Sequence, residues 1–466
     1  MCPQSSSSDT NIDPNVLLVL ADDMRFDTLR AAGETPVATP NLDRLCDRGT
    51  LFTHHHNMGS TTGGVCAPAR AMLYSGRSLF HLERPGGMGG VRTLPELAED
   101  AGYRTWATGK WHNRQVAFET CFESGTNVFW GGMHDDHWTV PVTSAGPDEE
   151  FPEPTPANDT HSSELFADSA VRFIEDRAGE DQPFFAAVAT MAPHDPRECP
   201  DEYHAMYDPA DIELPENFAP EHPFDNGQLH IRDEELAEFP RDPGEIRQHI
   251  ADYYAMITHL DAQLGRVFDT LDETGQRENT YVVFTADHGL AVGQHGLMGK
   301  QNLYEHSTRV PLVISGPDVP DGERRSPLSV HYDVYPTIAD LLGLEPPAAV
   351  EGESLLPVVR DESATVREDL FLAYENNAGP WWEDAWLDFE EHRPDAVQRA
   401  LRGQRFKLVE YDVDGERRSQ LFDLEADPGE TTDLADDPAY TDELERLRDR
   451  LADAQETADD PLGPIV

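Results

Sequence analysis

The chain has 466 residues, of which 38% are hydrophobic; this is enough for a large core, and we expect one large and one small domain. The net charge is −54, from 89 acidic and 35 basic residues, which argues against nucleic acids and anionic membranes as partners because both would be repelled. No apolar run reaches membrane-spanning length and residues 1–15 are polar, so the expected location is the cytoplasm.

The strong acidity has two interpretations, intrinsic disorder and adaptation to concentrated salt. A disordered polyanion would lack regular apolar segments, whereas apolar runs and turn signals recur along this whole chain. In concentrated salt, carboxylates keep a protein surface hydrated while counterions screen their mutual repulsion. The composition therefore favours a folded, halophilic protein.

Short apolar runs alternate with amphipathic stretches along the first three quarters of the chain. The runs predict buried parallel strands over residues 16–20, 104–108, 184–190, 281–285 and 311–315. The amphipathic stretches predict helices over residues 39–48, 163–177 and 245–273. This alternation implies an α/β sandwich around a large, mostly parallel sheet, and we assign it to residues 12–345.

The pattern changes after residue 345, and residues 346–466 predict a small α+β domain with an antiparallel sheet. Strands are predicted near residues 404–410 and 420–424, with a hairpin turn at Asp414 and Gly415 between them. A last amphipathic helix over residues 442–455 would bury three leucines. The five cysteines of the chain form no CxxC pair, so neither a disulfide framework nor a zinc knuckle is indicated.

Polar residues follow four of the predicted strands at the point where each strand ends. They are Asp22 and Asp23, Lys110 and His112, His194, and Asp287 and His288. Each residue alone has a structural interpretation, as a helix cap or a satisfied core histidine. Ligands bind outside the carboxyl ends of the strands in an open α/β sheet, so together these strand ends predict one site.

The residue types at this site indicate a hard divalent cation and a nucleophile. Aspartates with one imidazole suit Ca²⁺ or Mg²⁺, and we favour Ca²⁺; zinc remains an alternative because the aspartates and His288 could also hold it. The candidate nucleophile is Cys66, which precedes a predicted helix whose N-terminus would favour an anion. Arg70 would lie one turn further along. A buried structural cysteine is the alternative.

Several motifs in chain order resemble the sulfatase family. Cys66-Ala67-Pro68-Ala69-Arg70 resembles the family's Cys-x-Pro-x-Arg signature. Further similar stretches are Ala21-Asp22-Asp23, Thr39 to Leu45, Thr108-Gly109-Lys110-Trp111-His112, Ala192-Pro193-His194, Thr285 to Gly289, Gly299 to Glu305, Gln420 to Leu424 and Asp427 to Glu430. The resemblance covers nearly the whole chain, and it implies an alkaline-phosphatase-like fold.

The resemblance also implies an activity, the hydrolysis of carbohydrate or small-molecule sulfate esters, and a role for each matching residue. Cys66 would be oxidised to formylglycine by a formylglycine-generating enzyme. The metal would be bound by Asp22, Asp23, Asp287, His288 and the modified Cys66. Arg70, Lys110 and His112 would hold the formylglycine hydrate, and His194 and Lys300 would contact the sulfate ester. The chain departs from the family pattern at Ala69, where serine is commoner, and at His288, where asparagine is commoner.

Two other functions remain open at this stage: a phosphonate or phosphodiester hydrolase of the same superfamily, and a binding protein with an unmodified thiol. The tract His54-His55-His56 favours structural or rim roles, because successive residues of an extended segment point to opposite faces. His134 and His137 are candidate pocket residues. Trp381, Trp382 and Trp386 would either stack on a substrate ring or pack in the core.

Lysine is rare in this sequence, which contains only Lys110, Lys300 and Lys407. The first two belong to the candidate site, where a compact ammonium group would be required. Lys407 lies on a predicted C-terminal strand, and we expect its replacement by arginine to be nearly silent.

Overall fold

The computed structural model describes residues 13–33, 35–83, 86–157, 159–376 and 396–465. Its strands are β1 (Asn15–Ala21), β2 (Thr50–His56), β3 (Gly59–Ser60), β4 (Arg104–Lys110), β5 (Ser124–Phe129), β6 (Pro141–Ala145), β7 (Thr155–Pro156), β8 (Phe184–Ala189), β9 (Thr280–Ala286), β10 (Arg309–Ser315), β11 (Glu323–Arg325), β12 (Ser329–Val330), β13 (Asp369–Glu375), β14 (Ala396–Gly403), β15 (Phe406–Val413) and β16 (Glu416–Asp423). Its α-helices are α1 (Pro40–Asp47), α2 (Cys66–Ser75), α3 (Leu94–Asp100), α4 (Gln115–Cys121), α5 (Ser162–Asp176), α6 (Asp201–His204), α7 (Pro243–Glu273), α8 (Glu305–Thr308), α9 (Val334–Leu341), α10 (Leu356–Arg360) and α11 (Thr441–Thr457). Among these residues, no helix has the length and apolar composition that crossing a bilayer requires.

A large, mostly parallel sheet forms the centre of the molecule. Its strand order is β11-β2-β10-β9-β1-β8-β4-β5-β6-β7, and β12 also pairs with β2. Strands β9, β1, β8, β4 and β5 run parallel to one another. The predicted α/β fold with a mostly parallel sheet is confirmed, and four of the five predicted core strands have the predicted direction.

The fifth predicted strand, β10, has the opposite direction. It was predicted to be parallel, but it pairs antiparallel with both β9 and β2. A parallel neighbour requires a connection that crosses to the other end of the sheet, usually through a helix. Residues 287–308 instead begin and end at the carboxyl edge of β9, so the chain enters β10 from that edge.

The central sheet is covered on both faces, as its continuous apolar runs require. Alternate residues of β1 enter different cores: Val16, Leu18 and Leu20 face one, and Leu17, Val19 and Ala21 face the other. Helices α2 and α9 contribute to the first core, and α1, α5 and α7 contribute to the second. Each fully buried aliphatic side chain stabilises the fold by roughly 1.5–3 kcal/mol, so the two cores hold the strand ends rigidly in place.

A second, smaller sheet has the order β16-β15-β14-β13-β3. Its last four strands in the chain are antiparallel, and Asp414 and Gly415 form the β15–β16 turn with positive φ angles of 52° and 83°. Helix α11 covers this sheet with Leu444, Leu447 and Leu451, as predicted. The edge strand β3 comes from the segment just before Cys66 and pairs parallel with β13, which no sequence pattern indicated. The boundary between residues 345 and 346 stays a prediction.

Candidate active site

The carboxyl ends of four parallel strands meet at one place in the structure. Strand β1 leads into Asp22 and Asp23, β4 ends on Lys110, β8 is followed by His194, and β9 leads into Asp287 and His288. These side chains are buried, and His112 beside them is half-buried. The predicted site residues therefore form one cluster, and the role of each stays a prediction.

Three carboxylates and one imidazole form the centre of this cluster. His288 Nδ1 lies 3.1 Å from Asp23 Oδ1, and His288 Nε2 lies 3.6 Å from Asp287 Oδ1 and 3.9 Å from Asp22 Oδ1. Burial alone would lower the pKa of His288, but the charge of Asp287 leads the effects that raise it to about 10. The carboxylates thus create a strong local preference for positive charge.

Cys66 is the first residue of α2, and its thiol lies against this centre. Its Sγ atom is 3.1 Å from His288 Nε2, 3.6 Å from Asp22 Oδ1 and 3.7 Å from Lys300 Nζ. Only 4% of the residue is exposed. The position at a helix N-terminus favours an anionic group at residue 66.

Each of the three aspartates has a basic partner. Lys110 Nζ donates to Asp22, Lys300 Nζ donates to Asp23 Oδ1 at 2.8 Å, and Arg70 Nε donates to Asp287 Oδ2 at 3.1 Å. Arg70 Nη1 also donates to the carbonyl oxygen of Lys110 at 2.6 Å, which ties α2 to the end of β4. Paired charges of this kind are the condition under which several ions can be buried together.

Two further histidines lie beside the charged centre. Burial, followed by the charges of Lys110 and Arg70, holds the pKa of His112 well below its usual range, and its Nδ1 has no hydrogen-bond partner among the described residues. Burial, followed by the charge of Lys300, lowers the pKa of His194 to about 4. His194 Nδ1 donates to the carbonyl oxygen of Asp195 at 2.7 Å, and its Nε2 lies 4.0 Å from Asp23 Oδ2. In both rings burial therefore favours the neutral form over the charged form.

The donor atoms of this cluster suit a hard divalent cation. Asp22, Asp23, Cys66 and His194 each offer an atom within 4.8 Å of the others, and so do Asp22, Cys66, Asp287 and His288. Three of these six residues are aspartates, and Ca²⁺ and Mg²⁺ prefer carboxylate oxygens. The residues present therefore fit a cation of this class.

A network of ion pairs and hydrogen bonds, which no sequence motif indicated, joins the segments that carry His194 and Lys300. Arg232 donates to both carboxylate oxygens of Asp195, and its Nη1 also donates to Asp233 Oδ1 at 2.8 Å. Gln301 Nε2 donates to Asp233 Oδ2 at 2.9 Å. Asp195 directly follows the motif Ala192-Pro193-His194, so its position next to the site could have been predicted. Arg232 and Asp233 begin a short 3₁₀ helix (Arg232–Leu236) between α6 and α7, and no apolar periodicity marks it in the sequence.

The other residues singled out in the sequence do not belong to the two groups of candidate ligands found among the described residues. Among the tract histidines, His55 bonds to Ser329 and His331, His56 bonds to Glu305 and His54 bonds to Thr53, so the tract is not one metal site. His134 Nδ1 bonds to its own loop at Asp136, and His137 stacks on His161 with ring centroids 4.9 Å apart. Trp381, Trp382 and Trp386 lie outside the described residues.

Lys407 differs from the expectation for a dispensable lysine. It is 0% exposed, and its Nζ lies 2.8 Å from Glu430 Oε1 and 3.2 Å from Glu305 Oε1. This burial argues against a silent replacement by arginine, because a wider guanidinium group would have to displace groups packed around the lysine.

Comparison with protein families gives two overlapping matches. The Sulfatase family model matches residues 14–344, and the model for the C-terminal part of N-sulphoglucosamine sulphohydrolase matches residues 293–457. The first match spans more than half of the chain and includes the strands β1, β4, β8 and β9 that position the cluster.

Individual relatives align with this chain over nearly its whole length. The multifunctional alkaline phosphatase superfamily protein PehA of Trinickia caryophylli is 32% identical over 91% of this chain and 92% of its own. The N-acetylglucosamine-6-O-sulfatase of Bacteroides thetaiotaomicron is 24% identical over 95% of this chain and 86% of its own. A protein solved with its substrate D-glucosamine-2-N,6-O-disulfate superimposes with a TM-score of 0.77 at 21% identity, over 96% of this chain and 98% of its own. The chain therefore belongs to the sulfatase family, within the alkaline phosphatase superfamily, and is a sulfuric ester hydrolase.

Proposed function

We propose that this enzyme hydrolyses sulfate esters to an alcohol and inorganic sulfate through a formylglycine nucleophile derived from Cys66, with Ca²⁺ bound beside it and Mg²⁺ as the alternative ion. The observation that carries the proposal is the position of Cys66, whose Sγ lies within 3.7 Å of His288, Asp22 and Lys300 at the start of a helix. A merely structural cysteine would not require buried charges of both signs around it.

When bound, the cation would supply positive charge for the sulfate oxygens and lower the pKa of the hydroxyl that attacks sulfur. Asp22, Asp23, Asp287 and His288 would hold it. Arg70 and Lys110 would then keep those carboxylates in place and hold the hydrated side chain of residue 66 for attack. Because each basic group is already paired, little reorganisation is required when substrate arrives.

The remaining steps move protons and charge. Lys300 lies between Asp23 and residue 66, where its ammonium would stabilise the charge that develops on the sulfate oxygens. The leaving alcohol requires a proton, which Lys300, or His194 in its protonated form, would donate. His112, whose Nδ1 has no hydrogen-bond partner in the part of the chain that the structure describes, would accept the proton whose removal releases sulfate and restores the aldehyde.

The proposal is tested on the chain produced together with a formylglycine-generating enzyme, its proposed partner. We expect the mass of the peptide that contains Cys66 to show the conversion of the thiol to the aldehyde. Cys66→Ala should abolish turnover of an aryl sulfate and leave the circular dichroism spectrum unchanged. Chelation should abolish activity, and Ca²⁺ or Mg²⁺ should restore it. Wild-type turnover by Cys66→Ala, or restoration by Zn²⁺ alone, would contradict the mechanism.

A second candidate reaction is the hydrolysis of phosphonate or phosphate esters. It is favoured by the relative PehA, which is described as multifunctional and is 32% identical to this chain. The two reactions share the requirement for a cation and an activated oxygen nucleophile. Rates with the sulfate, phosphate and phenylphosphonate esters of one aryl alcohol decide between them, and we expect the sulfate ester to be the fastest.

The proposed substrate is a sulfated carbohydrate or small molecule, and the proposed location is the cytoplasm. The location is supported by the described cysteines, Cys46, Cys66, Cys121 and Cys199, which are buried and unpaired as is usual in a reducing compartment. Fractionation of the native cells checks it, and recovery of the protein from the medium would contradict it.

A further inference from the structure

A chain of hydrogen bonds leads from the histidine tract of β2 to the backbone between two proposed cation ligands. Ser329 of β12 pairs with His55 of β2, and its Oγ lies 3.0 Å from His55 Nδ1. His55 Nε2 lies 3.1 Å from His331 Nδ1, and His331 Nε2 lies 2.8 Å from the carbonyl oxygen of Asp287. All four residues are 0% exposed, so water does not compete for these bonds. Ser329, His55 and His331 are called the histidine relay below.

Every hydrogen bond of the histidine relay is donated towards the carbonyl group of Asp287. A carbonyl oxygen only accepts, so His331 must donate from Nε2. A neutral imidazole carries a single proton, on one of its two ring nitrogens. His331 Nδ1 therefore accepts from His55 Nε2, and His55 Nδ1 accepts from the hydroxyl of Ser329. Each member fixes the tautomer of the next.

The carbonyl group at the end of the relay lies between two proposed ligands. It belongs to the peptide that joins Asp287 to His288, and Asn57 Nδ2 also donates to it, at 3.2 Å. The backbone nitrogen of Asp287 donates to the carbonyl oxygen of Ala21 at 3.1 Å. The backbone of Asp287 is thus held on both sides, and this fixes the directions in which the two side chains leave it.

We propose that His55 and His331 are positioning residues for a divalent cation at Asp287 and His288. Neither belongs to the two groups of candidate ligands found among the described residues, so they would act only through the Asp287–His288 peptide. The inference rests on the proposed function, which requires the cation. Partners that orient metal ligands typically change metal affinity by about 10- to 100-fold when they are removed.

The test measures cation affinity rather than turnover. The full chain is stripped with a chelator and titrated calorimetrically with CaCl₂ and MgCl₂ in concentrated KCl, with residue 66 in the same chemical state throughout. His331→Phe removes the donor but keeps a ring, and should raise the Kd about 10- to 100-fold. His331→Gln places an N–H donor near the position of Nε2, and should stay within about threefold of wild type.

Two further variants control for general damage. His54→Phe changes the neighbouring histidine of β2, which bonds to Thr53 and not to the relay, and should bind like wild type. Ser329→Ala removes only the first donor of the relay and should weaken cation binding about threefold or more. If circular dichroism shows that His331→Phe does not fold, Ser329→Ala tests the positioning role in its place.

The outcomes separate this inference from the proposed function. If wild type binds a cation and the relay variants bind it equally well, the positioning role is overturned while the proposed function stands. Equal losses in His54→Phe and His331→Phe overturn the positioning role in the same way. If wild type binds neither ion, both proposals fail.

Discussion

Replacing Lys407 with methionine removes a charge from the interior while keeping most of the side-chain volume. The ammonium group is 0% exposed and lies 2.8 Å from Glu430 Oε1 and 3.2 Å from Glu305 Oε1. In this variant Glu305 still has a basic partner, because Arg402 lies 3.4 Å from its Oε2 atom. Glu430 has none left, since Lys407 is its only basic partner within salt-bridge distance among the described residues. Breaking a buried ion pair from one side costs about 3–5 kcal/mol, because the other charge remains buried.

We expect a loss of stability at the lower end of that range, because Glu430 can take up a proton when Lys407 is absent. Burial already raises the pKa of Glu430 against the opposing charge of Lys407, so the carboxyl group would become neutral once the lysine is gone. We therefore expect Lys407→Met to lower the free energy of unfolding by about 3 kcal/mol near pH 7. Lys407→Arg keeps the charge but overfills the site, at a cost of about 1–3 kcal/mol.

The assay is equilibrium unfolding in urea, followed by circular dichroism in concentrated KCl. Arg417→Met is the matched control, because Arg417 lies on the neighbouring strand β16 and pairs with Asp412 while 57% and 24% of the two side chains are exposed. A pair that is exposed on both sides contributes less than about 1 kcal/mol, so the control should be nearly neutral. Equal, small losses for Lys407→Met and Arg417→Met would refute the argument from burial.

Three further predictions concern the two lysines of the candidate site, salt and pH. Lys110→Arg and Lys300→Arg should each lower kcat/KM for an aryl sulfate by about a hundredfold or more, since a planar guanidinium cannot replace a compact ammonium; rates near wild type would remove these lysines from the mechanism. Because the net charge is −54, structure should be lost in dilute buffer and recovered in concentrated KCl, and circular dichroism that is unchanged between the two would end the halophilic interpretation. Burial lowers the pKa of His222 to about 4, below its unfolded value, so its contribution to stability is present above about pH 6.5 and is lost as the pH falls towards 4. His222→Gln should remove about 2 kcal/mol of the difference in unfolding free energy between pH 8 and pH 5, and an unchanged difference would contradict the assignment.

The parts of the fold that follow from local pattern could be predicted from the sequence. A strand buried on both faces is apolar throughout, so β1 and β9 were visible as continuous runs. Their carboxyl ends meet at one edge of a parallel sheet, which is why Asp22 and Asp287 could be assigned to one cluster. The direction of β10 could not be predicted, because an apolar run does not record the edge from which the chain enters it.

Other features depend on contacts between residues far apart in the chain, which no local pattern records. The pairing of Ser329 with His55 brings two distant segments into the relay. Arg232 begins a short 3₁₀ helix, and only the folded chain brings it to Asp195. The burial of Lys407 likewise depends on Glu305 and Glu430, which other segments of the chain bring to it.

The pairing of β3 with β13 can form only late in the synthesis of the chain. Gly59 and Ser60 lie just before Cys66, yet their partner β13 follows about 310 residues later. At ribosomal rates of about 5–20 residues per second, that partner emerges roughly 15 to 60 s after β3. During this interval the segment before Cys66 lacks its neighbour in the second sheet, and in the finished fold the residue is only 4% exposed. Under the proposed function, a modifying enzyme would thus have a limited period on the growing chain in which to reach the cysteine.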